Sequence, residues 1–422
     1  MVINRKDGLE ALVKYIIILL FILNSKTVYF GVIHSELTQY SLLGLFVLGI
    51  FLFRISVRAV KINLTRYALL FIFIMINILI NFSDMASSHF NTVIIFLVNI
   101  MIICVISAQF TNFEIANIYV NLMSIIALIS LICFGLAIFS PDLASNLVTS
   151  FQAGKNGQYV LSPFYMWGWG RINTRNAGPF WEPGAFQAFL VVALLMILLV
   201  LLPKIQEAKN LKRIKYQFLI LCITLLTTQS TTAYVLFILM SLVFLKEIKN
   251  LFLTNSIKKG RLLKGFAIFI MVSVGISIII SSNNINDKLS EVDNEYSSVA
   301  IRMNDSIQSI EMIKDGGLFG LGKTFYNDKL EATRDISNNS NGLLNMVYTY
   351  GVFFGAFYII FYKKGIDSFF SIKNSKKKYF IYLVFILFYL TEGIYWLSVF
   401  LLFLFETKTY TYKKSEKNYG GS

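Results

Sequence analysis

The sequence predicts an all-α, polytopic integral membrane protein with about twelve transmembrane helices and two long outer loops. Of the 422 residues, 56% are hydrophobic and only 14% are charged, whereas soluble proteins carry about a quarter charged residues. Apolar runs long enough to cross a bilayer recur along the chain, and Lys and Arg concentrate in alternate connections between them. These features exclude a soluble enzyme, a coiled coil and a disordered chain.

The apolar runs set the expected order of spans, because a helix needs roughly 20 mostly apolar residues to cross the hydrocarbon core. The expected spans lie near residues 11–30, 40–57, 67–82, 91–109, 117–140, 184–202, 216–229, 231–246, 265–281, 342–362, 379–391 and 393–406. No small-residue cleavage site follows the first run, so we expect an uncleaved first span.

The distribution of basic residues predicts the orientation. With both termini cytoplasmic, the inner segments hold 28 of the 38 Lys and Arg residues. We therefore predict a multi-pass protein of the cytoplasmic membrane with both ends inside. Basic charge in short juxtamembrane loops attracts anionic membrane lipids, so the net charge of +15 does not indicate a nucleic-acid partner.

Only two connections are long, and both are expected outside. The predicted organisation is N-terminal transmembrane helices (1–140), a first outer loop (141–183), central transmembrane helices (184–281), a second outer loop (282–341), and C-terminal helices with a cytoplasmic tail (342–422). Long connections between packed helices tend to carry function. We therefore look for the chemistry in these two loops.

The first outer loop concentrates aromatic and basic side chains. It holds three of the four tryptophans, Trp167, Trp169 and Trp181, together with Arg171 and Arg175. One interpretation is an aromatic belt at the membrane interface with arginines on lipid phosphates. The other is a carbohydrate and phosphate site, since an arginine fork binds phosphate oxygens in a bidentate way. Composition does not choose between them.

Glu182 precedes Pro183 and Gly184 at the expected start of the next span. Proline suits the first turn of a helix, and a carboxylate there is stabilised by the helix dipole. The alternative role for Glu182 is to orient or deprotonate a sugar hydroxyl near the membrane surface.

Helical spacing in the second outer loop predicts a helix from about 296 to 314 that contains Arg302 and ends at Asp315-Gly316-Gly317. The Gly-rich segment after it lacks the spacing of a nucleotide-binding P-loop. The loop closes on an Asn-rich cluster around Asn341, which is either a turn or part of a site. The polar run 227–232 between two spans either caps two helix ends or forms the floor of an outward cavity.

Taken together, these motifs resemble the bacterial O-antigen polymerase and O-antigen ligase superfamily. The resemblance covers roughly residues 165–360, and the earlier spans match in hydropathy alone. It rests on Arg175-x-x-Gly178-Pro-Phe-Trp-Glu182-Pro-Gly-x-Phe186, Thr227-x-Gln229-Ser-Thr-Thr232, Arg302, Gly320-x-Gly322, Asn341, Gly351 and Gly355, in this order.

The resemblance implies a GT-C-like membrane glycosyltransferase that acts on undecaprenyl-pyrophosphate-linked oligosaccharides at the outer face of the bacterial cytoplasmic membrane. A polymerase transfers the growing glycan onto a new lipid-linked repeat unit of O-antigen or capsular polysaccharide, whereas a ligase transfers it to another acceptor such as lipid A core. No metal cofactor is expected, because fixed arginines can stabilise the departing diphosphate. A protein that regulates chain length is an implied partner.

The loop composition and the resemblance together give the expected site residues. The expected catalytic residues are Arg175, Arg302 and Glu182, and the expected substrate-binding residues are Arg171, Trp169, Trp181, Gln229, Asn341 and Arg334. Ligase-branch members carry a histidine before the asparagine, where this chain has Ser340. This difference favours a polymerase and leaves Glu182 as the candidate base. The runner-up is a flippase for lipid-linked oligosaccharides, but transporters often show internal repeats, and none is evident.

Overall fold

The computed structural model describes residues 5–25, 27–30, 35–52, 57–82, 87–147, 149–153, 156–161, 164–169, 175–204, 208–252, 298–322 and 341–407. Its helices are α1 (Arg5–Leu23), α2 (Ser35–Leu52), α3 (Val57–Ile80), α4 (Ser87–Ser107), α5 (Asn112–Phe139), α6 (Pro141–Leu147), α7 (Pro183–Met196), α8 (Ala208–Thr227), α9 (Thr231–Val243), α10 (Leu245–Phe252), α11 (Ser298–Gly316), α12 (Gly342–Tyr350), α13 (Val352–Phe370), α14 (Ser375–Thr391) and α15 (Ser398–Leu401). Its strands are β1 (Thr149–Ala153), β2 (Asn156–Leu161) and β3 (Tyr165–Trp169).

Helix α7 lies at the centre of the bundle. It continues without a break through a π-helical turn at Ile197–Leu201 and a 3₁₀ turn at Leu202–Lys204. In the most apolar stretch of this continuous helix, 89% of residues are buried, against 33% for α5. Because α7 is apolar on every face, it can be enclosed by neighbours, and it packs against α5, α8 and α9.

Four of the described helices are long and apolar enough to cross a membrane: Val60–Ile80 in α3, Phe90–Ser107 in α4, α5, and Pro183–Lys204. Helix α9 is apolar but shorter. These helices indicate an integral membrane protein. The count of about twelve spans stays a prediction, and the expected span 265–281 lies outside the described residues.

Two expected spans near the C-terminus differ in the structure. The run 342–362 is not one helix, because Gly351 adopts φ +98° and separates α12 from α13. The run 393–406 is helical only in α15 and the following 3₁₀ turn Leu402–Leu404. The prediction of one continuous helix in each of these two runs was wrong. Hydropathy reports burial in an apolar environment and does not report whether the backbone stays helical.

The expectation of an all-α fold is also wrong in one place. The first outer loop contains a three-stranded antiparallel sheet in the order β1-β2-β3, with an irregularity between Tyr159 and Val160. Trp167 of this sheet is 1% exposed and packs with Tyr165 against Cys133 of α5. This tryptophan is therefore core, and it is neither a belt residue nor a sugar platform.

Several basic side chains tie helices together at the end of α7 opposite Pro183. Lys204 Nζ donates to Asn112 Oδ1 at 3.1 Å, and Lys378 pairs with Asp367 at 2.6 Å. Arg66 forms an ion pair with Glu406. This basic end is the one expected inside, and the orientation itself stays a prediction.

Candidate functional site

The segment before α7 is held in place by the buried side chain of Asn176. Its backbone N–H donates to Thr227 O at 3.0 Å, and its Nδ2 donates to Thr227 Oγ1 at 2.9 Å and to Ser130 Oγ at 3.2 Å. Its Oδ1 accepts from the N–H of Gly178 at 3.0 Å. One asparagine thus joins this segment to α5 and to the end of α8.

Arg175 is consequently placed beside the connection between α8 and α9. Its Nε donates to the backbone oxygen of Thr228 at 3.3 Å, and the side chain is half-buried. This bond orients the planar guanidinium group, which can then present its fork to an anion. The next residue of the connection, Gln229, has φ +49°, a left-handed conformation that costs a non-glycine residue about 1–2 kcal/mol. Such strain persists where surrounding structure imposes it, often at functional sites.

The turn after Arg175 is packed tightly. Gly178 has φ +55°, and a Cβ there would lie 2.8 Å from the ring of Phe186. Its carbonyl accepts from Met166 N at 2.7 Å, and Pro179 O accepts from Val28 N at 2.9 Å. The turn is therefore bonded to β3 and to the segment after α1, and only glycine fits at position 178.

Glu182 is the N-cap residue of α7, with Pro183 in the first turn as expected. Its carboxylate, however, makes no capping hydrogen bond to the helix. Its Oε1 instead accepts from the indole Nε1 of Trp181 at 2.7 Å, and both side chains are half-buried. The Glu182 carboxylate is therefore held by the neighbouring Trp181 side chain and does not act as a helix cap.

A second carboxylate, from Glu392 at the end of α14, lies at the same end of the bundle and is 6% exposed. A Cβ on Gly184 would overlap Glu392 Oε1 and would lie 4.0 Å from the carboxyl carbon of Glu182. A Cβ on Gly342 would overlap the main chain of Glu392 and Gly393. Glu392 therefore lies between the first turns of α7 and α12.

Sequence reasoning missed Glu392, although a signal was present. Acidic residues are rare and commonly functional when they lie between long apolar runs in a membrane protein. Glu392 lies between the runs 379–391 and 393–406. Asn176 was also missed, because nothing in its local sequence separates a structural asparagine from a loop residue.

Asn341 connects the start of α12 to the helix of the second outer loop. It is buried and is the N-cap of α12, where its Oδ1 accepts from Leu344 N at 3.1 Å. Its Nδ2 donates to Ser306 Oγ of α11 at 3.1 Å. Helix α11 spans Ser298–Gly316, in agreement with the expected 296–314, and it places Arg302 one helical turn before Ser306.

The Gly-rich turn after α11 has a structural role. Gly320 has φ +80°, and a Cβ there would overlap Thr349 and Gly351 at the junction of α12 and α13. Asn77 Nδ2 of α3 donates to Phe319 O at 2.6 Å and to Thr349 O at 2.9 Å. This turn is a close crossing of three chain segments.

The structure describes less about the remaining expected site residues. Trp169 is the last residue of β3, and Arg171 and Arg334 lie outside the described residues. Within the described ranges, no three His, Cys, Asp or Glu side chains are grouped so as to hold a metal ion. The structure thus links Arg175 to the 227–230 connection, and it links Asn341 to the helix that carries Arg302. Glu182 lies beside Gly184, which also approaches Glu392.

Comparison with known protein families gives a match for the segment that contains the 227–230 connection, α11 and Asn341. Residues 216–360 match the family model described as O-antigen ligase. The match covers 145 of the 422 residues, so this segment is similar to the O-antigen ligase family. No curated protein sequence matches the chain. Members of this family are membrane enzymes that transfer glycans, as ligases or as polymerases.

The matched segment runs from α8 into α13 and includes the 227–230 connection, α11 and Asn341. Arg175, Glu182 and Glu392 lie outside the matched segment, but Arg175 contacts it at Thr228 and Glu392 contacts it at Gly342. The candidate site residues therefore come from the matched segment and from the chain on either side of it.

Proposed function

We propose that this protein is a polymerase that joins undecaprenyl-pyrophosphate-linked repeat units into O-antigen or capsular polysaccharide at the outer face of the cytoplasmic membrane. A hydroxyl oxygen at the non-reducing end of the new unit attacks the anomeric carbon of the growing chain. The bond from that carbon to the carrier breaks, and the diphosphate leaves with the electron pair. The hydroxyl proton passes to a carboxylate.

The observation that carries the proposal is the pairing of an oriented arginine with a non-capping carboxylate in one short segment. Arg175 is oriented by Thr228 O, and Glu182 accepts from Trp181 instead of capping α7. An arginine fork matches the oxygens of a diphosphate. A half-buried carboxylate at a helix start suits a hydroxyl that must be held and deprotonated.

The donor half of the reaction is assigned to Arg175 and Arg302. Negative charge accumulates on the diphosphate as its bond to sugar breaks, and preorganised cations stabilise that charge without reorganisation. Arg175 is preorganised by its bond to Thr228. Arg302 is on α11, which Asn341 links to the start of α12 through Ser306. Arg171, Arg334, Trp169 and Gln229 complete the proposed binding residues, and a long polyprenyl tail can remain in the bilayer.

The acceptor half is assigned to Glu182. Its carboxylate is half-buried and held by Trp181 at 2.7 Å, so it is positioned without being enclosed. Ser340 precedes Asn341 where the resemblance implies a histidine in the ligase branch. A base other than that histidine is therefore required, which supports the polymerase over the ligase.

The deciding experiment compares the surface glycan of a deletion strain with that of its parent on a gel. A lost polymerase leaves one repeat unit per lipid core, whereas a lost ligase leaves free polymer that is not attached to core. Lipid-linked units trapped inside would indicate a flippase. Polymer made from purified lipid-linked units by the protein in proteoliposomes would establish the activity directly.

A further inference from the structure

Helix α11 exposes three large apolar side chains on one face. Met303, Ile307 and Ile310 are 63%, 55% and 48% exposed, and their spacing places them in one stripe along the helix. Lys314 lies one turn further along the same stripe and is also exposed. A contiguous apolar surface of this kind indicates contact with lipid or with another protein, because such surfaces are rarely left in water.

The two other sides of α11 have different surroundings. Asp305 and Met312 are buried, and Met312 packs with Tyr348 of α12. Asn304 and Glu311 lie on the far border of the stripe and are exposed. The helix thus has a protein-facing side, an apolar side and a polar side, in this order around its axis. A helix that lies in a membrane interface requires this division.

The neighbouring helix α12 joins the ends of two membrane-spanning helices. At its start, Gly342 lies against the main chain of Glu392, and the side chain of Glu392 lies against Gly184 in the first turn of α7. At its end, the backbone oxygen of Thr349 accepts from Asn77 Nδ2 near the end of α3 at 2.9 Å. Helix α12 therefore runs across the bundle at the level where α7 begins and α3 ends.

Helix α11 runs antiparallel beside α12 and shares this level. Its Ser306 Oγ accepts from Asn341 Nδ2 at the start of α12 at 3.1 Å. Beyond its end, the backbone N–H of Leu321 donates to Tyr348 O near the end of α12 at 2.8 Å. The apolar stripe is therefore held at the membrane boundary and not at a distance from it.

The exposed apolar surface continues from α11 to the lipid-facing surface of α3. Leu318, in the turn after α11, is exposed, and its backbone oxygen accepts from the N–H of Phe353 at 3.4 Å. Phe353 is exposed as well and stacks on Phe73 of α3, with ring centroids 6.1 Å apart. Helix α3 is long and apolar enough to cross the membrane, and its Leu79 is 75% exposed. Exposed apolar side chains of such a span lie against lipid tails.

We propose that the stripe of Met303, Ile307 and Ile310 binds the acyl chains of outer-leaflet lipids, so that α11 is an interfacial membrane helix. Lys314 lays its stem along the apolar surface and carries its charge to the lipid phosphates. Arg302 precedes Met303, so this contact holds the helix that carries Arg302 at headgroup depth. The relevance of that depth to a lipid-linked diphosphate rests on the proposed function, whereas the lipid contact does not.

The test places a nitroxide spin label on the full-length protein in nanodiscs of phosphatidylethanolamine and phosphatidylglycerol. Power saturation compares collisions with oxygen, which concentrates in lipid, and with a water-soluble nickel chelate. Labels on Met303→Cys and Ile307→Cys are expected to collide more with oxygen than with the chelate. The unaltered protein should take up little label, because Cys104, Cys133 and Cys222 are buried.

Three matched variants calibrate the measurement. Leu79→Cys places the label on the exposed side of α3 and is the reference for lipid. Asn304→Cys and Glu311→Cys place it on the polar side of the same helix α11. There the preference is expected to reverse in favour of the nickel chelate. All of these side chains are exposed, so the substitutions leave the packing of the helix unchanged.

Two results would overturn the lipid contact. A preference for the nickel chelate at Met303→Cys and Ile307→Cys would show that the stripe faces water. Few collisions with either reagent would show that another segment of the chain, or a second copy, covers it. The measurement requires no activity, so its outcome is independent of whether the protein makes polymer.

Discussion

Asn176 and Thr227 are joined by two hydrogen bonds, one from backbone N–H to backbone oxygen at 3.0 Å and one from Nδ2 to Oγ1 at 2.9 Å. They lie 51 residues apart in the chain. The pair connects the segment of the first outer loop that carries Arg175 to the helix whose end orients Arg175. The placement of Arg175 beside Thr228 depends on this connection.

Asn176→Ala is expected to lower the free energy of unfolding by about 1–3 kcal/mol, because the buried N–H of Gly178 and the hydroxyl of Thr227 lose a partner. The midpoint of thermal unfolding in detergent measures this change, and polymer formation should fall with it. Asn117→Ala is the matched control, since Asn117 makes an exposed bond to Arg213. Equal midpoints for the two variants would contradict the assigned role of Asn176.

Arg175→Ala, like Arg302→Ala, is expected to abolish polymer while membrane levels of the protein and single repeat units at the outer face stay normal. Arg175→Lys keeps the charge but loses the planar fork and the Nε–H that donates to Thr228 O. A charged hydrogen bond contributes about 1.5–3 kcal/mol, so we expect the lysine variant to be at least tenfold slower. Arg213→Lys is the control. Full activity of Arg175→Lys would mean that only charge matters.

Glu182→Gln is expected to lower kcat much more than it changes KM, because glutamine can still accept from Trp181 but cannot take a proton. General-base catalysis commonly contributes about 10²–10⁴-fold. Steady-state kinetics with lipid-linked repeat units measures the effect. An unaltered kcat would leave Glu182 with only its position as the N-cap of α7.

Gly178→Ala is expected to destabilise the protein by about 1–3 kcal/mol, because φ +55° is strained for alanine and its Cβ would lie 2.8 Å from Phe186. Gly135→Ala is the matched control in α5, where an added Cβ has no neighbour within 4 Å. There alanine should stabilise the helix by about 0.5–1 kcal/mol. Thermal unfolding should therefore shift in opposite directions for the two variants.

Gln229→Gly separates strain from binding. Glycine accepts the φ of +49° without cost, so the unfolding midpoint should rise. If the amide binds substrate, the KM for the donor should rise as well, and Gln229→Asn should retain part of the affinity. A glycine variant with an unchanged KM would limit Gln229 to a structural role.

Elements that depend on local sequence were predictable. The helix of the second outer loop was expected at 296–314 and is found at Ser298–Gly316, because its apolar spacing and terminal glycines are local signals. Pro183 marked the start of α7 for the same reason. The sheet in the first outer loop was missed because strands of five or six residues are too short to register in a search for spans.

Features that depend on distant contacts were not predictable. Gly351 interrupts an apolar run without changing its hydropathy, and its role is visible only where the main chain of Phe319 crosses it. Whether Glu182 caps α7 depends on which group its carboxylate meets, and the structure shows that group to be Trp181. Glu392 matters because Gly184 and Gly342 come together in space around it.

The order of apolar helices, the basic connections and the motifs that resemble those of the O-antigen ligase family can be read from the sequence. The sequence does not determine whether α5 or α7 is the central helix. Lipid tails and a protein interior are equally apolar, so both environments select the same side chains. Only packing in three dimensions encloses α7, whereas in the most apolar stretch of α5 only 33% of residues are buried. The same packing places Arg175 beside Thr228 and Glu182 beside Trp181.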